Sequence, residues 1–164
     1  MEKILVSRCL LGHRVRYDGG AHGPFDQLGA WQAEGRIVPL CPEVAGGLPT
    51  PRPPAEISSG QGVQVWSSQA RVLTEAGEDV TAQFVDGAQQ ALTLVRQHGI
   101  RLAVLKSRSP SCGNRETYDG SFSGQKIAGE GVTAALLREA GVRVFNEEEL
   151  AAALEALQTL ESGV

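Results

Sequence analysis

The sequence predicts an α/β fold: a mostly parallel, doubly wound (Rossmann-like) sheet with helices on both faces and a small β-hairpin insertion. Three observations carry this. Four short runs, residues 3–7, 36–40, 102–105 and 142–145, are nearly continuous in apolar residues. That is the pattern of strands buried on both faces. Segments of helical period alternate with them, as a parallel sheet with crossovers requires. Finally, 164 residues with 41% hydrophobic content suffice for the core of one domain, 1–164, without staples. Strand order is not legible at this level.

Each element has its own signal. The strand at 3–7 leads into a loop carrying Cys9 and a Tyr17-Asp18-Gly19-Gly20 turn. Residues 25–34 form a helix stopped by Gly35, and the buried strand 36–40 runs directly into Cys41. Five prolines between 42 and 54 predict an ordered loop with no regular element. The alternating runs 63–66 and 71–74, flanking Ser67-Ser68-Gln69, predict the hairpin. Asp79 is placed as the N-cap of a long helix to residue 98, with Phe84, Ala88, Ala91 and Val95 on one face and Gly99 ending it. After the strand 102–105 comes Lys106-Ser107-Arg108-Ser109-Pro110-Ser111-Cys112-Gly113. Residues 117–122 form a small hairpin or irregular loop. A helix at 132–140, a strand at 142–145 and a closing amphipathic helix at 147–160, with Leu150, Leu154, Leu157 and Leu160 inward, complete the chain.

The net charge of −4 leaves no electrostatic footprint for nucleic acid or an anionic membrane. No apolar run approaches the roughly 20 residues of a membrane span. Met1-Glu2-Lys3 does not begin a signal peptide, so a cytoplasmic protein is expected. Three cysteines are the wrong parity for a disulfide framework. Arg8, Arg14 and Arg16 form a basic patch that attracts a small anion or is simply solvated.

All three cysteines, Cys9, Cys41 and Cys112, fall just past the carboxyl end of a predicted strand. That edge is where open α/β sheets bind ligands, so three loops can converge there if their strands are neighbours. A free cysteine is otherwise most often a small buried hydrophobe. A structural zinc site wants four ligands, usually with C-x-x-C pairs, and none is present, although His13 or His22 could complete a Cys3His set. Three thiolates on a cubane cluster leave one iron open. Spacing alone does not choose between these.

Several segments resemble one family: Val6-Ser7-Arg8-Cys9-Leu10-Leu11-Gly12 with Arg16-Tyr17-Asp18-Gly19, Cys41-Pro42-Glu43-Val44-Ala45-Gly46-Gly47-Leu48-Pro49 with Pro51 to Glu56, and Leu105 to Gly113 with Tyr118-Asp119-Gly120. The family is that of the thiouracil desulfidases (TudS), once known only as a domain of unknown function. The resemblance runs from about residue 3 to residue 145. It implies a [4Fe-4S] cluster held by Cys9, Cys41 and Cys112 with one iron not ligated by protein. It also implies non-redox removal of sulfur from a thionated pyrimidine, thiouracil giving uracil and hydrogen sulfide. Arg8 stands where the family usually has a small residue, and so bears on substrate choice.

Around these ligands, Glu43 lies two residues past Cys41 and is the expected catalytic base, a shielded carboxylate able to activate water. The competing assignment is a loop carboxylate paired with Arg52 or Arg108. Ser109, fixed by Pro110, is the second catalytic candidate; Ser107, Ser111 and Arg8 are expected to bind substrate. Serines in such loops also serve turn chemistry. Lys106 and Arg108 offset cluster charge or pair with Glu43 and Glu56. Asp18 and Asp119, each in a Tyr-Asp-Gly turn, are structural. The Gly129-Glu130-Gly131-Val132-Thr133-Ala134 run reads as tight helix–sheet packing rather than a dinucleotide site, and Glu147-Glu148-Glu149 as complementing a helix N-terminus. The expected partner is a small thionated base, with no nucleic acid and no membrane, and a homodimer is allowed. Rival functions are a cluster-bearing desulfurase acting on another thiolated base or small molecule, and a non-catalytic metal- or thiol-binding protein.

Overall fold

A computed structural model describes residues 1–163. Four parallel strands, β1 (Ile4–Ser7), β2 (Ile37–Leu40), β5 (Leu102–Leu105) and β8 (Arg143–Asn146), form one sheet in the order β2-β1-β5-β8. Ile4 pairs with Ile37 on one side and Leu102 on the other, and Leu102 pairs in turn with Arg143. The chain thus winds from β1 out to β2, then returns past β1 to β5. Its switch point is the carboxyl edge between β1 and β5.

Strand alternation sends side chains to two cores. Ile4, Val6, Leu102 and Val104 pack against α1 (Asp26–Ala33), through Leu28 and Trp31, and α6 (Leu150–Glu161), through Ala153 and Leu157. Leu5, Ala103 and Leu105 face α4 (Thr81–His98), through Ala91 and Val95, and α5 (Val132–Glu139), through Ala134 and Leu137. Helices therefore cover both faces, as expected. A third core, with Ile57, Val72, Phe84 and Val132, lies under a side layer. That layer contains β3 (Ala55–Ser58) paired antiparallel with β4 (Arg71–Thr74), and the one-turn helix α3 (Gly62–Trp66). A second antiparallel pair joins β6 (Glu116–Tyr118) to β7 (Lys126–Ala128).

Four expectations are corrected. Residues 63–66 are helical, not one arm of a hairpin. The Gln61 and Gln64 side chains close a reciprocal capping box, and the Val-Gln-Val-Trp alternation is only coincidentally strand-like. The partner of 71–74 is β3 instead. Within the proline-rich stretch, Pro42 opens a helical turn, α2 (Pro42–Ala45), since its missing N–H costs nothing at the first helical position. The strand β2 is a half-exposed edge, which is why Pro39 is tolerated in it. Finally, Asp79 accepts the Thr81 N–H at 2.9 Å, but the helix cap itself is Val80. Among the described residues no helix is long and apolar enough to cross a membrane.

Candidate active site

The three cysteines leave three adjacent strands at one edge. Cys9 sits in a 3₁₀ helix, Arg8–Leu11, directly after β1. Cys41 joins β2 to α2, and Cys112 ends the loop after β5. Because β2, β1 and β5 are neighbours, all three line one cavity of about 530 Å³. Ser7, the last residue of β1, ties the edge together. Its hydroxyl donates to Cys112 Sγ at 3.6 Å and accepts the Lys106 N–H at 3.0 Å.

The loop before Cys112 is held from two sides. From below, the N-terminus of α5 donates its otherwise unpaired amides to it. Val132 N–H meets the Pro110 carbonyl, and the Thr133 and Ala134 N–H groups meet that of Ser111. Gly131 N–H donates to the Gly113 carbonyl, and a Cβ on Gly131 would lie 2.6 Å from the Pro110 oxygen. The glycine-rich run is therefore a close approach of helix to the cysteine loop, and not the helix–sheet packing expected of it. From above, Glu147 accepts the Ser107 N–H at 2.8 Å and its hydroxyl at 2.7 Å, and Lys106 Nζ lies 3.1 Å from the same carboxylate. Glu149 takes Asn114 Nδ2 at 2.9 Å and Arg115 Nε at 2.8 Å. The acidic run thus anchors the cysteine loop, a role its sequence reading as a helix-terminal complement did not include.

On the Cys41 side, α2 lies directly on α4 because Gly87 offers no Cβ to the Pro42 carbonyl. This fixes Glu43, whose side chain is 18% exposed, beside Arg52, whose side chain is 3% exposed. Arg52 is fully engaged: Nε to Glu43 Oε1 at 3.2 Å, Nη1 to the Pro49 carbonyl and Thr50 Oγ1, and Nη2 to the Val15 carbonyl. The Cys41 thiol points to that same Val15 carbonyl at 3.9 Å. Burial pushes the Glu43 carboxyl above its ordinary value, and the Arg52 guanidinium, then the Ser109 hydroxyl, pull it partly back. The oxygen of Ser109 accepts the N–H groups of Ser111 (3.1 Å) and Cys112 (3.0 Å). Ser109 thereby links the cysteine loop to the carboxylate.

This environment makes the thiols hold their protons more tightly than a free cysteine does. Burial first, then the neighbouring Cys41, pushes Cys9 up to about 11, against the opposing charges of Lys106 and Arg16. Cys112 and Cys41 are raised by burial as well. Three such thiols become thiolates only when a strong cation replaces their protons. Among the described residues, no three His, Cys, Asp or Glu side chains are grouped as a single ion would need. His13 accepts the Arg8 Nε–H at 3.0 Å, and neither it nor His22, whose Nε2 is buried without a partner, is among the cavity's lining residues. The Cys3His alternative gains no support. The donor set is soft, carries three sulfurs and spans a cavity, which suits a cluster of several irons.

Of the other expected site residues, Glu43, Ser109, Ser107 and Arg8 line the cavity. Ser111 does not: it is fully buried, and its hydroxyl pairs with Thr133 Oγ1 at 2.7 Å. Arg108 pairs with Glu116 and Glu148 at 2.9 Å each, rather than with Glu43 or Glu56. Asp18 and Asp119 accept the N–H groups of Gly20 and Ser121, the turn chemistry expected of them. Sequence reasoning missed the hub role of Arg52 and the aromatic wall of Tyr17, Tyr118 and Phe122. For the two tyrosines the sequence does carry a signal, since each opens a Tyr-Asp-Gly turn.

A family model described as 2-thiouracil desulfurase matches residues 4–149. The chain is 46% identical over 147 residues to the uncharacterized protein YbbK of Bacillus subtilis (strain 168), covering 90% of this chain and 97% of that protein. It is also similar to a solved structure described as the [4Fe-4S]-dependent thiouracil desulfidase TudS, at 52% identity and a TM-score of 0.88, covering 97% of this chain and 99% of that one.

Proposed function

The chain belongs to the 2-thiouracil desulfurase family, and on that premise we infer that it is a [4Fe-4S]-dependent, non-redox thiouracil desulfidase. Water and a thionated pyrimidine give the oxo pyrimidine and hydrogen sulfide, so no electron carrier is needed. The observation that supports this best is the opening of three thiols, two of them buried, and one largely shielded carboxyl onto a single cavity at the switch point of the sheet.

Cys9, Cys41 and Cys112 would hold the cluster, and the chain has no fourth cysteine. When bound, the cluster supplies a soft Lewis acid at the iron no residue ligates, suited to a thione sulfur. The remaining work falls to the chain. Glu43 takes a proton from the attacking water and returns it to the departing sulfur, a role for which its raised affinity for protons fits it. Arg52 holds that carboxylate in one place through its bond at 3.2 Å. Ser109 aligns Glu43 with the Cys112 loop. Lys106, on the cavity wall, offsets negative charge near the ligands. Arg8 and the wall around Ser107 meet the polar edge of the base. The Ser107 hydroxyl itself serves Glu147.

Cluster-loaded wild type and Glu43→Gln, incubated with 2- or 4-thiouracil in isotope-labelled water, test this. The variant should keep the visible absorbance of the cluster and lose about 10²–10⁴ in turnover. Wild type should release sulfide and place solvent oxygen in uracil. A variant as active as wild type removes Glu43 from the mechanism. A loaded wild type that releases no sulfide overturns the function.

A further inference from the structure

The cavity has one wall that the chemistry above leaves without a task. It is built by the turn between β6 and β7, residues 119–125, through Phe122, with Tyr118 at the end of β6. In this turn Ser121, Ser123, Gly124 and Gln125 are exposed, whereas Phe122 is half-buried and lines the cavity. An apolar ring at a polar turn is placed there by the backbone. Phe122 has φ of 57°, a region bulky side chains rarely adopt, so something must hold it.

That something is Glu56, on β3. A single oxygen, Oε1, accepts the N–H of Gly120 at 2.9 Å and that of Phe122 at 3.2 Å. Asp119 takes the intervening Ser121 N–H at 2.9 Å. A Cβ on Gly120 would lie 2.7 Å from the Ile57 carbonyl, so the turn also lies directly on β3. Glu56 has no ion-pair partner among the described residues, and the two turn amides are its only hydrogen-bond donors there. Its Oε1 is committed to shaping this wall, and Glu56 itself lines the cavity beside it.

We propose that Glu56 is a positioning residue that fixes the 119–125 turn so that Phe122, with Tyr118, receives the flat face of the pyrimidine ring. This rests on the reading of the cavity as a thionated-pyrimidine site and deepens it. A ring stacked on an aromatic face is held whichever way its exocyclic groups point, which leaves orientation to the polar walls. The wall acts on binding and not on the bond that breaks, so its loss appears in KM.

The test uses cluster-loaded wild type, Phe122→Ala, Phe122→Tyr, Glu56→Ala and Glu56→Gln. Steady-state kinetics, equilibrium dialysis of uracil and hydrogen exchange of the turn amides are measured on each. Phe122→Ala should raise KM and the dissociation constant for uracil about tenfold, with kcat within about twofold. Phe122→Tyr should restore both. Glu56→Ala should reproduce the KM change and speed exchange at the Gly120 and Phe122 amides, while Glu56→Gln, whose amide oxygen still accepts, should lie near wild type. Wild-type KM and uracil affinity in Phe122→Ala overturn the aromatic wall. Faster exchange with unchanged KM in Glu56→Ala overturns the positioning role. Wild type that binds uracil but releases no sulfide overturns the desulfidase reading alone, and wild type that binds no pyrimidine overturns both.

Discussion

Ser111 Oγ and Thr133 Oγ1 are both fully buried and satisfy each other at 2.7 Å. Replacing Ser111 by Ala leaves the threonine hydroxyl in an apolar setting, a loss of about 1–3 kcal/mol. Since Ser111 does not reach the cavity, kcat should stay within about twofold, and thermal unfolding beside steady-state kinetics checks both. Ser109→Ala behaves differently. It strips the acceptor from the Cys112 and Ser111 amides, which costs about 1 kcal/mol, and it uncouples Glu43 from the cysteine loop, so turnover falls as well. Ser109→Ala with wild-type kcat would make that serine purely a turn residue. These side chains alternate in sequence, Ser-Arg-Ser-Pro-Ser, and nothing local distinguishes them. The convergence of the three cysteines on one cavity was legible because each follows a strand at the same sheet edge. A serine's role is set by what lies opposite it, here Thr133 and Glu147, more than twenty residues away.

At the scale of elements, α5 and the cysteine loop form one unit. The helix's first amides end on loop carbonyls, and Gly131 is the point of closest approach. Gly131→Ala would place a methyl 2.5 Å from the Ser111 carbonyl carbon and 2.6 Å from the Pro110 oxygen. Both are backbone atoms, so the loop must move. The variant should unfold at lower temperature and bind less iron per chain after anaerobic reconstitution, measured by iron and labile-sulfide assays; undiminished loading would mean the loop adapts freely. The glycine run signalled close packing of the helix in the sequence, because such a run has few other causes, but not that its partner is this loop. Long elements were legible for a related reason: α4 repeats its apolar period over five turns, with Phe84, Ala88, Ala91 and Val95 buried. The five-residue α3 was not, because four residues of Val-Gln-Val-Trp fit a strand as well as a helix. What decides is the Gln61–Gln64 box and the packing of Val65 in the third core.

For the whole molecule, strand alternation was readable from the apolar runs, while the order β2-β1-β5-β8 depends on packing between distant segments. That order converts three scattered cysteines into one site, and charge keeps its loops in place. Seven carboxylates, those of Glu2, Asp18, Asp79, Asp119, Glu147, Glu149 and Glu161, are held below their ordinary values. Glu43 alone among the described carboxyls is shifted upward. Asp18, Asp79 and Glu161 are exposed and contribute little. Glu147 matters most. Burial alone would raise it, but the Ser107 N–H and hydroxyl, and then Lys106, outweigh that and lower it. A carboxylate depressed in the folded state gives stability that is present above its unfolded value, near 4.5 here, and is lost as the pH falls through the folded value. The protein should therefore need less urea to unfold at about pH 4 than at neutral pH, and the loss should continue below that. Glu147→Gln should lower the neutral-pH midpoint, since Ser107 and Lys106 lose a charged partner, and should flatten the acid decline. A decline as steep in Glu147→Gln as in wild type would place the acid sensitivity elsewhere, in Glu149 or in the exposed pairs. Hydrogen exchange at Ser107, the amide that Glu147 accepts, separates these outcomes because it reports the anchored loop directly.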